Sequence, residues 1–163
     1  MKRTFIILLL LGYGLSTISF NDKRSDKGAD YPELCSSKDL ISKAKEGLKS
    51  DFIYDGFKLV KVKLKDVPQV KKLLYGVNPA VDIRYVFNRE ALPVGSEIRI
   101  YNSKKASDET LRFKSTDFDD AQDILVFNTT ADMWAALIEI KLPAASEGIT
   151  SGCLCTMAGY RVK

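Results

Sequence analysis

The sequence predicts a mainly β fold: an antiparallel β-sandwich of about seven to eight strands, preceded by one short N-terminal α-helix. Two observations predict it. Short segments rich in β-branched and aromatic residues recur along residues 57–162 and are separated by turn signals. A helical pattern precedes them only at the front of the domain, which favours two packed antiparallel sheets over alternating strands and helices.

The helix is predicted at the start of the folded region, shortly after residue 31. Ser36 or Ser37 can cap its N-terminus. The apolar residues that then recur at helical spacing, over about three turns, are Leu40, Ile41, Ala44 and Leu48. The lysines on its other side are typical of a solvated helix face.

The first predicted strand is residues 57–65, which largely alternate apolar side chains with lysine and end before Pro68. Lysines on such a strand also protect a sheet edge from pairing with another chain. Residues 131–140 could instead form two helical turns, since alanine and leucine favour helix, but we predict strand there. The later strands predicted are 82–88, 97–102, 111–113, 124–127, 134–142 and 153–162.

Residues 1–19 predict a secretory signal peptide. A basic start is followed by an apolar run at 4–11, which is too short for a membrane span because a transmembrane helix needs about 20 apolar residues. Residues 20–30 are polar and lack periodicity, so we expect a flexible tether. Residues 31–163 then form a single domain, and we expect a periplasmic or extracellular protein that is not membrane-embedded.

The charge balance predicts no polyanionic partner. The chain has 25 basic and 21 acidic residues, and loss of Lys2 and Arg3 with the leader leaves a formal net charge of +2. This charge is too weak to drive binding to nucleic acid. We expect a monomer whose partner is a glycan, a peptide or an envelope protein.

The chain contains no histidine. This excludes Ser-His-Asp and Cys-His catalysis and removes the commonest transition-metal ligand. A small hydrolase would need a cysteine activated by a helix terminus, such as Cys35, or a carboxylate pair. The candidates for such a pair are the aspartates of residues 117–123, Glu90, Glu97 and Glu139, but the sequence does not place any two at the separation that glycoside hydrolysis requires. No catalytic residue and no cofactor are predicted.

Three cysteines remain in the mature chain: Cys35, Cys153 and Cys155. Cys153 and Cys155 lie on the same face of one predicted strand, too far apart for good disulfide geometry. We therefore predict a disulfide from Cys35 to one of these two cysteines, and we take Cys153 as the partner. The alternative is three buried thiols, because free cysteine packs as a small apolar side chain.

An acidic loop is the candidate metal site. Its carboxylates are Asp117, Asp119, Asp120 and Asp123. Calcium prefers such hard oxygen ligands, although the glycine and the closing glutamate of a helix-loop-helix calcium site are absent. A solvated acidic loop is the alternative.

Aromatic residues are the candidate ligand-binding groups. Tyr75, Trp134 and Tyr101 could stack against a sugar or a peptide. Tyr75 lies beside Gly76 in a segment without a clear strand pattern, so of the candidate aromatics it is the one we expect to be exposed. Core packing is the alternative for Tyr101, which lies within a predicted strand.

A resemblance supports these predictions. The segments that carry it are a leading cysteine-containing helix, Arg84-Tyr85-Val86-Phe87, Ile98-Arg99-Ile100-Tyr101, and a terminal strand from Gly152-Cys153 to Gly159-Tyr160. Their order resembles small exported β-sandwich domains of bacteria of the Bacteroidetes kind. Their layout is similar to jelly-roll domains appended to secreted peptidases. The resemblance implies a jelly-roll-like fold and brings no catalytic residues.

The sequence therefore predicts an exported, non-catalytic binding or accessory module. It would recognise a glycan, a peptide or a cell-envelope partner. A small carboxylate- or cysteine-dependent hydrolase is the alternative, as is a purely structural or assembly domain.

Overall fold

The computed structural model describes Cys35 and residues 38–163. The predicted signal peptide and tether lie outside these residues. The helix α1 (Lys38–Leu48) comes first. Eight strands follow: β1 (Ile53–Lys63), β2 (Gln69–Gly76), β3 (Val81–Asn88), β4 (Glu97–Tyr101), β5 (Leu111–Lys114), β6 (Ile124–Asn128), β7 (Ala135–Leu142) and β8 (Ser151–Val162).

The strands form two antiparallel sheets of four. Sheet A has the order β1-β8-β3-β6, and sheet B has the order β2-β7-β4-β5. The chain folds back on itself at the β4–β5 connection, so that β4 pairs with β5, β3 with β6, β2 with β7 and β1 with β8. Nested pairs distributed over two packed sheets are the jelly-roll arrangement. The predicted β-sandwich is confirmed.

The main core lies between the sheets. It is built by alternate residues of each strand, as the two-residue period of a strand requires. Tyr85 and Phe87 of β3 point into it, with ring centroids 6.5 Å apart, and Phe113 lies 6.0 Å from Phe87. The fully buried aliphatic residues of this core include Val62, Ile98, Ile100, Leu125, Ile138, Ile140 and Leu154.

A second core lies between α1 and the outer face of sheet A. The helix buries Leu40, Ala44 and Leu48 against residues of β3 and β8. Gly159 of β8 allows this close approach, because a Cβ atom at that position would lie 2.5 Å from Leu48 Cδ1. The helix ends at Leu48, and the next residue, Lys49, has a left-handed φ of 63°. The predicted three-turn helix is confirmed, whereas its predicted N-terminal cap, Ser36 or Ser37, lies outside the described residues.

The strand β2 was not predicted from the sequence, which left Tyr75 outside any regular element. Its side chains do alternate between half-buried and exposed. The adjacent pairs Lys71-Lys72 and Leu73-Leu74 hide this alternation in the sequence. The helical alternative for residues 131–140 is wrong, because Ala135–Leu142 is a central strand of sheet B.

Among the described residues, no helix combines the length and the apolar character needed to cross a membrane.

Candidate functional site

The edge strands β1 of sheet A and β2 of sheet B lie on the same side of the sandwich. The gap between them is closed at one end and open at the other. At the closed end, Lys71 Nζ donates a hydrogen bond of 2.7 Å to the carbonyl oxygen of Lys61. Gln69 Nε2 donates one of 3.2 Å to the carbonyl oxygen of Lys63. These bonds tie the edge of sheet A to the edge of sheet B.

Towards the other end the two edges part and form a cleft of about 800 Å³. The described residues that line it are 55–58 of β1, 72–76 of β2, and Ile83, Tyr85, Thr156 and Ala158. This volume is in the range typical of ligand pockets, roughly 300–1,000 Å³. We refer to it below as the cleft.

A β-bulge in β1 places Asp55 beside the cleft. Tyr54 lies opposite Gly159 and Gly56 lies opposite Ala158, so Asp55 is an extra residue with no partner position on β8. Bulges of this kind redirect a side chain at a sheet edge and are frequent next to functional sites. Asp55 is exposed and supplies a hydrogen-bond acceptor to the cleft.

Beyond the bulge, Lys58 and Thr156 occupy directly opposite positions on β1 and β8 and therefore share the face of sheet A that lines the cleft. Thr156 is only 4% exposed, and its hydroxyl has no hydrogen-bond partner among the described residues. A buried polar group left unpaired costs about 1–3 kcal/mol. The hydroxyl oxygen is itself buried, so a ligand in the cleft contacts it only when the Thr156 side chain rotates towards the cleft.

The aromatic surface of the cleft comes from Tyr75, which is half-buried and packs against Tyr85, a core residue only 3% exposed. The rings of Tyr75 and Tyr85 have centroids 5.8 Å apart and are tilted by 45°. Burial raises the pKa of both hydroxyls above the usual tyrosine value, and in Tyr85 the nearby Tyr75 and Asp55 add to the effect. Both hydroxyls therefore keep their protons at neutral pH and can donate hydrogen bonds.

The structure brings one of the three predicted ligand-binding aromatics into the cleft, namely Tyr75. Trp134 is 70% exposed but lies before β7, where its carbonyl oxygen accepts a 3.0 Å hydrogen bond from the Val77 amide. Tyr101 is 3% exposed on the outer face of sheet B, and its hydroxyl donates to Glu139 at 3.2 Å. Neither Trp134 nor Tyr101 lines the cleft.

The acidic loop is held by its own backbone and by Arg89. The Arg89 guanidinium donates to the carbonyl oxygens of Asp119 at 2.7 Å and Gln122 at 3.0 Å. One carboxylate oxygen of Asp119 accepts a 2.9 Å bond from the Ala121 amide. In the part of the chain that the structure describes, no three acidic, cysteine or histidine side chains form a metal-binding group. Calcium binding by Asp117, Asp119, Asp120 and Asp123 stays a prediction.

The three cysteines lie together under α1, and all three are buried free thiols. Burial raises the pKa of Cys153, and a hydrogen bond with Cys35 adds to the effect, so the predicted pair is in contact. Burial also raises the pKa of Cys155 to about 11. The buried thiols of Cys153 and Cys155 therefore stay protonated at neutral pH, and Cys35 is only 2% exposed, so this arrangement does not favour cysteine catalysis. The disulfide itself stays a prediction.

The carboxylates Glu97 and Glu139 lie on the outer face of sheet B, at diagonal positions of β4 and β7. Glu139 is buried and pairs with Lys72, with the two charged atoms 2.9 Å apart. Glu97 pairs with Arg99 at 3.0 Å. Because each of these two carboxylates is already paired with a basic side chain, the pair does not favour glycoside hydrolysis.

Sequence reasoning missed Lys58, Thr156 and Tyr85 as residues of the site. A signal for Lys58 is present in the sequence. Lys58 is in phase with Val60 and Val62, which are buried, whereas Lys61 and Lys63 occupy the alternate, exposed positions. Thr156 gives no comparable signal, because its pairing with Lys58 joins the first and last strands of the domain.

No protein-family model, curated protein or solved structure matches this chain.

Proposed function

We propose that the protein is an exported, non-catalytic binding module that recognises a glycan, and that a sugar residue of this glycan occupies the cleft. One observation carries the proposal. The half-buried ring of Tyr75, packed against the buried ring of Tyr85, lines an open cleft of about 800 Å³ beside the buried Thr156 hydroxyl, which has no partner among the described residues.

A sugar ring matches this combination of groups. Its C–H faces pack on aromatic rings, and its hydroxyls both donate and accept hydrogen bonds. Asp55 supplies an acceptor, Lys58 supplies donors, and the Thr156 hydroxyl supplies both. A few polar groups set among aromatic and apolar side chains are typical of sites that orient a small ligand.

The signal-peptide pattern and the resemblance to exported bacterial domains support export. The alternative of a hydrolase has less support. The cysteines are buried beneath α1, and Glu97 and Glu139 are paired with cations on the other side of sheet B from the cleft. A non-catalytic role is therefore the proposal.

The test is binding of the purified protein to a panel of oligosaccharides by isothermal titration calorimetry, with Tyr75→Ala as the diagnostic variant. Loss of a buried aromatic contact at the centre of a site weakens binding by about tenfold or more. Tyr54→Ala is the matched control, because Tyr54 is an exposed tyrosine outside the cleft lining.

The proposal expects binding that Tyr75→Ala weakens and Tyr54→Ala leaves unchanged. The absence of binding to every oligosaccharide, or equal effects of the two variants, contradicts it. Thermal melts of both variants are the control that checks whether each is folded.

A further inference from the structure

One lysine of β1 faces the interior of the sandwich. Lys58 shares its face of the strand with Val60 and Val62, both buried in the main core. It reaches solvent because the cleft is open beside it. Its aliphatic stem can lie along the apolar lining while the ammonium stays hydrated.

Among the residues that the structure describes, no ion pair neutralises the charge of Lys58. Three charged residues line the cleft: Asp55, Lys58 and Lys72. Lys72 is paired with Glu139 at 2.9 Å. Among the described residues, no carboxylate oxygen lies within ion-pair distance of Lys58, Asp55 included. Lys58 is thus a cation available to a ligand.

The neighbours of Lys58 add hydrogen-bond donors at the same place. Thr156, on the opposite position of β8, has a buried hydroxyl with no partner among the described residues. The Tyr75 ring lies across the cleft on β2. An ammonium and a hydroxyl side by side bind the two oxygens of a carboxylate through hydrogen bonds, of which the charge-assisted one is the stronger.

We infer that the sugar recognised in the cleft is acidic, and that its carboxylate binds the Lys58 ammonium, with the Thr156 hydroxyl turned towards it by rotation of that side chain. This inference rests on the proposed function, which places a glycan in the cleft. Asp55 favours an acidic sugar over an acidic peptide side chain. Its carboxylate repels a purely anionic ligand but accepts hydrogen bonds from the hydroxyls that a sugar also carries.

The experiment compares three probes on the purified protein by calorimetry: trigalacturonate, the neutral galactose trisaccharide and a glutamate tripeptide. Lys58→Met removes the charge and keeps the stem, and Lys58→Arg keeps the charge. Lys63→Met is the matched control, because Lys63 lies on the same strand with its side chain exposed and outside the cleft lining.

We expect trigalacturonate to bind about tenfold or more tightly than the neutral trisaccharide, since a charge-assisted hydrogen bond contributes about 1.5–3 kcal/mol. Lys58→Met should abolish this preference, whereas Lys58→Arg should keep most of it and Lys63→Met all of it. Added salt should weaken binding of the acidic sugar more than that of the neutral one.

Equal binding of both sugars overturns the inference and leaves the proposed function standing, provided that Tyr75→Ala weakens that binding. An inward lysine also discourages strand pairing at a sheet edge, and a purely protective role predicts that Lys58→Met binds trigalacturonate as the parent does. Preference for the glutamate peptide overturns the inference and the proposed function together. No binding to any of the three probes overturns the inference, and the oligosaccharide panel then decides the proposed function.

Discussion

The two faces of β8 differ in how completely the fold covers them. On the helix side, Cys155 and Met157 are buried beneath α1. On the other side, Thr156 and Ala158 line the open cleft. The alternation of a single strand thus sends neighbouring residues to a sealed interior and to a candidate binding surface. Stability and recognition should therefore respond to different substitutions within a few residues of one another.

The sealed face is tested most strongly by Gly159→Ala. The new methyl group would lie 2.5 Å from Leu48 Cδ1 and 2.9 Å from the carbonyl oxygen of Ile53, so helix and strand must move apart. Overpacking of this kind lowers the free energy of unfolding by about 1–3 kcal/mol. Urea denaturation followed by circular dichroism measures the loss.

Gly56→Ala is the control for this change. Gly56 lies on the neighbouring strand, and a Cβ atom there would meet no atom within 4 Å. Its unfolding midpoint should match that of the parent or exceed it. A Gly159→Ala variant as stable as Gly56→Ala would show that the helix does not pack closely on β8.

The cleft face should behave in the opposite way when Thr156 is changed to Val. Removing a buried hydroxyl that lacks a partner is expected to raise the free energy of unfolding, by about 1 kcal/mol. The same change should weaken binding of the glycan, because the ligand loses a hydrogen bond. Paired denaturation and calorimetry measurements on one variant give both quantities.

The contrasting control is Thr129→Val. The Thr129 hydroxyl accepts a 3.0 Å hydrogen bond from the Ile83 amide, so its loss should lower stability. Thr156→Val would argue against an available hydroxyl in the cleft if it destabilised the protein as Thr129→Val does.

The smallest expected effect on stability is at Asp132, in the turn before β7 and away from both faces of β8. Hydrogen bonds from Thr130, then Arg112 and Asn102, hold the pKa of Asp132 at about 2, below its usual 3.8. A lowered folded-state pKa gives stability that is present above the usual value and is lost as pH falls towards 2. Asp132→Asn should therefore flatten the decline of Tm between pH 4 and pH 2.

Asp66→Asn is the control for that pH series, because Asp66 is an exposed carboxylate outside this hydrogen-bonded turn. It should keep the parental decline of Tm. Identical profiles for the two variants would show that the bonds to Asp132 contribute no pH-dependent stability.

The fold was predictable because most strands carry their burial pattern in the sequence. The predicted strand 97–102 corresponds to Glu97–Tyr101, and 82–88 corresponds to Val81–Asn88. The strand β2 was missed because it lies at a sheet edge and buries its alternate side chains only in part. Partial burial places little constraint on residue type, so the sequence pattern is weak.

The candidate site was predictable only in part. Tyr75 was identified as a ligand-binding aromatic, but the expectation that it is exposed was wrong, because it lies half-buried in β2 whereas Tyr54 is 47% exposed. Lys58 could have been found from its phase with Val60 and Val62. The cleft itself depends on the separation of β1 from β2 and on a bulge at Asp55, which no local pattern encodes.

A glycan that binds in the cleft between β1 and β2 should change the environment of the backbone amides that line it. An NMR titration of the ¹⁵N-labelled protein with trigalacturonate and with the neutral trisaccharide measures this. We expect amide shift changes concentrated in residues 55–58, 72–76 and 156–158. Changes concentrated around Trp134, the acidic loop or the outer face of sheet B, or no change with either sugar, would contradict this expectation.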